Sequence, residues 1–160
     1  MLTIINVVSI ISTGMMAGIF FTWTNAVKPG IGNLDHFSYL KAFQAMNRVI
    51  LNPLFYCLFM LPLITQIVLS YIFFDLQTLY VFELLVASTL VYFIGVILIT
   101  VIGNIPLNEM LDKSDLENMN QQDLMTLRNS VEIKWNRFNL IRTISSFLSF
   151  LILIVKEIIL

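Results

Sequence analysis

Three stretches of this chain, Leu2 to Val27, Pro53 to Phe74 and Leu84 to Ile102, contain no Asp, Glu, Lys or Arg. As helices each is long enough to cross a hydrocarbon core of about 30 Å. Across all 160 residues, 58% are hydrophobic and 12% charged, a balance well outside that of a soluble domain. Composition and segregation of charge together predict an all-α fold: an integral membrane four-helix bundle with a short interfacial amphipathic helix and an extended fourth helix. The whole chain, 1–160, reads as a single transmembrane domain with spans at about 2–27, 53–74, 79–102 and 140–156.

Punctuation residues set these limits. Lys28-Pro29-Gly30 predicts the end of the first span, since proline lacks an amide donor and glycine favours a stop. From Asp35 to Ile50, Phe37, Leu40, Phe43, Met46 and Ile50 recur at helical spacing, with His36, Lys41, Gln44, Asn47 and Arg48 mostly elsewhere around the axis. That pattern predicts an amphipathic helix on the membrane surface. Asn52-Pro53 reads as a helix start, and Pro62 within the second span predicts a kink. Asp75 to Thr78 is short enough only for an antiparallel return. The third span is expected to end before Asn104-Ile105-Pro106, and Ser114-x-x-Glu117 reads as a capping box. From about Asp123 neither Gly nor Pro intervenes, so one helix is expected to run on, entering the membrane near Leu140 and leaving near Lys156.

Four crossings place both termini on one side. The two large loops hold Lys28, Lys41, Arg48, Lys113, Arg128, Lys134, Arg137 and Arg142, against Lys156 alone on the terminal side. The positive-inside rule then predicts a plasma-membrane protein with the loops cytoplasmic and both termini outside. The first apolar run exceeds a signal-peptide core and has no basic residue ahead of it, so it is expected to be retained. A net charge of −1 without a Lys/Arg cluster offers no nucleic-acid footprint. Cys57 is alone and His36 is the only histidine, so neither an internal disulfide nor a histidine-rich metal site is expected. Glu83 reads as a snorkelling interfacial carboxylate.

Three polar groups gather at the loop-side ends of the spans. In Asn47-Arg48-x-x-x-Asn52-Pro53, spacing of four puts Arg48 and Asn52 on one helical face. Asn52 as a cap with Arg48 reaching lipid phosphates is the plainer reading of that pair, and a shared substrate site the sharper one. In Asn104-Ile105-Pro106-Leu107-Asn108, two asparagines flank a proline, and a capping role for Asn104 explains much of it. The third group, Trp135-x-x-x-Asn139-x-x-Arg142-Thr143, sets Trp135, Asn139, Arg142 and Ser146 on one face. Arg142 leads straight into an apolar run, where a guanidinium needs a partner or a polar cavity. No Gly-rich phosphate loop, Cys/His metal spacing or Ser–His–Asp set is present in a credible context.

Together with Ala17-Gly18-Ile19-Phe20-Phe21, these groups in this order resemble the anthrone oxygenase-like family of small four-span membrane proteins, many members of which have no known function. The resemblance covers nearly the whole chain. It implies polar residues gathered at one end of a four-helix bundle. In characterised relatives it implies oxidation of an anthrone to an anthraquinone, with dioxygen as co-substrate and no recognised organic cofactor. On that pattern Arg48, Arg142 and Asn139 form the catalytic set, and Asn47, Asn52, Asn104, Asn108 and Trp135 bind the substrate, with no metal ligand among them. Relatives often carry histidine after the asparagine matched by Asn139, where this chain has Leu140. Two functions stay open: an oxygenase-like enzyme acting on a lipophilic aromatic of anthrone or quinol type, and a non-enzymatic membrane protein holding a lipid headgroup or partner subunit. Membrane lipid is an expected partner, nucleic acid is not, and a homo-oligomer is left open. Four spans leave little room for a transport pathway.

Overall fold

In the computed structural model, which describes residues 2–159, five helices carry almost the whole chain: α1 (Leu2–Gly32), α2 (His36–Ile50), α3 (Pro53–Asp75), α4 (Leu79–Asp112) and α5 (Gln121–Ile159). All but α2 are long and apolar enough to cross a membrane, which makes the chain an integral membrane protein. They close into a ring in which α1 packs on α3, α3 on α4, α4 on α5 and α5 back on α1. Both termini and the Asp75 to Thr78 turn lie at one end of this bundle, and α2 with the long connections lies at the other.

Two helix ends differ from expectation for one reason. Neither Pro29 nor Pro106 stops its helix. Each follows a stretch of π-helix, Trp23–Val27 in α1 and Thr100–Asn104 in α4, and a further π stretch spans Phe93–Leu98. A wider turn moves the upstream carbonyl away from the proline ring, so the clash that breaks an α-helix is relieved. Asn52 does cap α3, its side-chain oxygen accepting from the Phe55 N–H at 3.0 Å, and α3 continues past Pro62 to Asp75. Ser114-x-x-Glu117 is not a capping box: the Ser114 hydroxyl donates to the Met110 carbonyl and Glu117 pairs with Lys41. The reciprocal pair at the start of α5 is Asn120 with Asp123, at 2.9 and 2.7 Å.

The α2 helix is amphipathic, but its buried face meets protein. Asp35 caps it by accepting from Ser38 N–H. Tyr39, Leu40 and Phe43 join Leu107, Leu111, Leu116, Leu124, Val131 and Trp135 in a core outside the spans. The buried face is rotated from the predicted one: Gln44 and Asn47 turn inward and Ile50 outward. Gln44 has a reason to be buried, because its amide reaches the Leu111 carbonyl at 3.0 Å at the end of α4. Arg128 of α5 closes the end of α1 by donating to the Gly32 and Leu34 carbonyls, each at 2.8 Å.

Inside the membrane, polar contacts join the helices. Gln66 Nε2 donates to Thr13 Oγ1 and Ser149 Oγ at 3.3 and 3.4 Å, and the Ser88 and Ser149 hydroxyls lie 2.9 Å apart. Two glycines then set the path of α4. A Cβ on Gly95 would sit 2.0 Å from Ser145 Oγ, and one on Gly103 would sit 2.7 Å from the Phe138 ring. Only glycine allows so close an approach, and it draws the second half of α4 onto α5. The seam between α3 and α4 is correspondingly tight along Leu79–Tyr92 and loses comparable contact from Phe93 to Asn104. A cross-link near that point is the Tyr92 hydroxyl, donating to the Phe59 carbonyl at 2.9 Å.

Candidate functional site

Where the α3–α4 seam parts, a cavity of about 670 Å³ opens at the loop end of the bundle. That size lies within the range of about 300–1,000 Å³ usual for small-molecule sites. All five helices contribute, through Phe20 and Trp23 of α1, Asn47 of α2, Phe55 and Phe59 of α3, Thr100 and Asn108 of α4, and Trp135, Asn139 and Arg142 of α5. The walls are mainly apolar and the polar groups are concentrated on one side.

Arg142 dominates that side. Its side chain is almost wholly buried, and among the described residues no carboxylate forms a salt bridge with it. One terminal nitrogen donates to Asn139 Oδ1 at 2.9 Å and the other to Thr100 Oγ1 at 3.4 Å, while Nε has no partner among the described residues. Its guanidinium lies 4.5 Å from the Phe20 ring centroid and 5.1 Å from that of Trp135. Aromatic faces partly compensate a desolvated cation, but they do not neutralise it. The arrangement offers a fixed positive charge to any anion that enters the cavity.

Asn139 orients that charge. Its amide nitrogen donates to the Phe20 carbonyl at 3.1 Å and to Thr24 Oγ1 at 3.0 Å, which turns its oxygen toward Arg142. Thr143 supports the set by donating to the Asn139 carbonyl at 2.9 Å. A second anchor is Asn108, whose side-chain oxygen accepts from Trp135 Nε1 at 2.6 Å and Asn47 Nδ2 at 3.2 Å. With its oxygen held twice, the Asn108 amide nitrogen makes no hydrogen bond among the described residues and could serve a ligand. Trp135 is wedged in turn by Trp23 at 4.4 Å and by Phe43 edge-on at 5.0 Å.

The residues singled out in the sequence therefore divide. Asn47, Asn108, Trp135, Asn139 and Arg142 line one cavity. Arg48, Asn52 and Asn104 do not. Arg48 is exposed and its Nε donates to Asp112 at 2.6 Å, because α2 presents that face to the end of α4. Asn52 spends both side-chain groups on the backbone, capping α3 and donating to the Val49 carbonyl at 3.0 Å. Asn104 caps nothing; it is buried within α4, with its nitrogen 3.4 Å from the Trp135 carbonyl and its oxygen unpartnered. Trp23, Phe20 and Thr100 are lining residues that sequence reasoning missed. An indole three residues beyond Phe20, and a lone hydroxyl in the apolar run before Gly103, were the available signals.

Lys156, counted as a terminal charge in the sequence, is fully buried at the opposite end. It donates to Asn6 Oδ1 at 2.6 Å, pairs with Glu157 and lies 5.5 Å from the Phe73 ring centroid.

No match to the chain was found among curated proteins or among solved structures. A family model described as anthrone oxygenase matches residues 53–152, a span that takes in α3, α4 and most of α5 and with them Asn108, Trp135, Asn139 and Arg142. Covering well over half of the sequence, that match means that the chain belongs to the anthrone oxygenase family.

Proposed function

We propose that the protein binds a flat, lipophilic aromatic as its oxygen anion and oxidises it with dioxygen, without an organic cofactor. The observation that supports this is the buried Arg142 guanidinium facing a mainly apolar cavity with no carboxylate partner among the described residues. In an anthrone, loss of a proton from the ring carbon opposite the carbonyl spreads the electron pair onto the oxygen. Arg142 would hold that oxygen, the free Asn108 amide would donate to it or to the nascent peroxide, and Trp135 would lie against the rings. The anion passes one electron to dioxygen, and the resulting radical and superoxide join through a new C–O bond. The peroxide takes a proton back from solvent, and its O–O bond then breaks with loss of the remaining hydrogen on that ring carbon, so that water leaves, the second carbonyl forms, and anthrone and dioxygen become anthraquinone and water.

Among the described residues no Asp, Glu, His or Lys lines the cavity. On this reading the proton leaves to solvent, and the protein acts by making the bound substrate more acidic. Arg48, Asn52 and Asn104 act indirectly: Arg48 by tying α2 to α4, Asn52 by starting α3, and Asn104 by packing beneath Trp135. By the bias of basic residues toward the loops, those loops face the cytoplasm and both ends of the chain face away from it.

Oxygen uptake by the purified protein over a panel of anthrones and hydroquinones tests the proposal. Wild type should consume dioxygen, and Arg142→Gln should lose about 10²–10³-fold in rate while remaining folded and inserted. The lack of a lining base favours a second reading, a binding protein that holds a lipid phosphate on Arg142. It would show no uptake with any member of the panel, and Arg142→Gln would instead release a co-purifying lipid.

A further inference from the structure

The cavity is roofed at the loop end and open on its flank. Its roof is α2, held down by the buried Tyr39, Leu40 and Phe43, by Gln44 on the Leu111 carbonyl at 3.0 Å, and by Arg48 on Asp112 at 2.6 Å. The flank is the parted seam between α3 and α4. The exposed lining residues include Val49 and Ile50 at the end of α2, Leu51 after it, and Tyr56, Met60 and Ile105 on α3 and α4, all apolar or aromatic, whereas the buried ones include Asn47, Asn139 and Arg142. Polarity therefore rises from the rim inward. An apolar rim suits a ligand that arrives from hydrocarbon, which has no polar group to satisfy until it reaches the inner wall.

We infer that the cavity is filled from the bilayer, through the gap between α3 and α4. This rests on the reading of Arg142 given above, and it narrows the ligand class to a molecule dissolved in lipid, carrying its acidic oxygen at its leading end and no charge elsewhere. A second charged group would have to stay against the apolar rim, where nothing in the lining compensates it. The seam parts where the π-helical segments and Gly95 carry α4 toward α5, so the portal is built into the path of α4. Tyr92 on the Phe59 carbonyl marks its inner limit.

The chain has two tryptophans, Trp23 and Trp135, and both line the cavity, so its indole emission reports on that space. The protein is reconstituted in vesicles of phosphatidylcholine brominated on the acyl chain, and separately in unbrominated vesicles with iodide in the water. Brominated chains should quench the emission strongly and iodide hardly at all. Bromine quenches at close range, so narrowing the rim with Met60→Phe and Ile105→Phe together should lower lipid quenching by about twofold. Met60→Phe alone replaces the pair if the double variant fails to fold. Quenching by iodide without quenching by brominated lipid would overturn the portal, as would lipid quenching unchanged by the narrowed rim. Because no substrate is used, absence of anthrone oxidation would remove that substrate and leave the portal standing. Iodide quenching in the absence of lipid quenching would remove the portal and leave the role of Arg142 intact.

Discussion

Helix α5 buries a cation at each end of the bundle, and the two are managed in opposite ways. Lys156 is compensated within the protein: Asn6 accepts from it, Glu157 pairs with it and Phe73 packs beside it. Arg142 has an amide oxygen, a distant threonine hydroxyl and two aromatic faces, together with an unpartnered Nε and an open cavity. A buried charge is costly in either setting, and leaving one partner unmade is costlier than making all of them. The terminal end is therefore built for cohesion. The loop end leaves a charge without a full set of partners among the described residues.

This contrast can be broken by mutation. The largest effect on stability is expected from Asn6→Leu, which strips the buried Lys156 of its best acceptor. Thermal unfolding in detergent should show a loss of about 3 kcal/mol with ligand binding at the loop end unchanged. An equal loss of binding would mean that the two ends are not independent. Gly95→Ala should come next, at about 2 kcal/mol, because its methyl would overlap Ser145 and push α4 from α5. The same change should alter tryptophan quenching by brominated lipid, since it shifts one wall of the gap. Arg142→Gln should cost stability least among the three, about 1 kcal/mol or less, because glutamine still donates to Asn139 and no ion pair is lost.

The smallest effect concerns the roof. Hydrogen bonds from Ser38 hold the Asp35 carboxyl below its ordinary value of 3.8. Its contribution to α2 is thus present above that value and fades as pH falls through the lower folded value. Protection of the amides of residues 36–39, taken relative to their intrinsic exchange rates at each pH, should fall only in that acidic window. Loss of protection near neutral pH would point to another group.

How far the sequence carried the fold depended on what each residue faced. The apolar runs fall within the four helices long and apolar enough to cross a membrane, and Arg142 stood out because a guanidinium leading into such a run has few tolerable surroundings. The stripe of Trp135, Asn139, Arg142 and Ser146 was legible from spacing, and all four are buried. Where the partner was another part of the protein, the same reasoning failed. The inward turn of Gln44 depends on the Leu111 carbonyl, and the pairing of Arg48 depends on Asp112, contacts that no local pattern encodes. Pro29 read as a terminator, and the third span was ended before Asn104-Ile105-Pro106, because the π-helical segments beside them leave no mark in composition. Lys156 read as a surface charge because Asn6, its acceptor, lies almost the whole chain away.

The central claim is that Arg142 stabilises an anion in the cavity, and the ionisation of a bound phenol measures this directly. 2-Naphthol changes its absorbance on losing its proton, and it is small and apolar enough to enter. Titrated in proteoliposomes, the fraction bound to wild type should ionise about one pH unit or more below the fraction dissolved in lipid, and Arg142→Gln should abolish that shift. A bound phenol that ionises at the same pH as in lipid, or higher, with Arg142 intact would contradict the account.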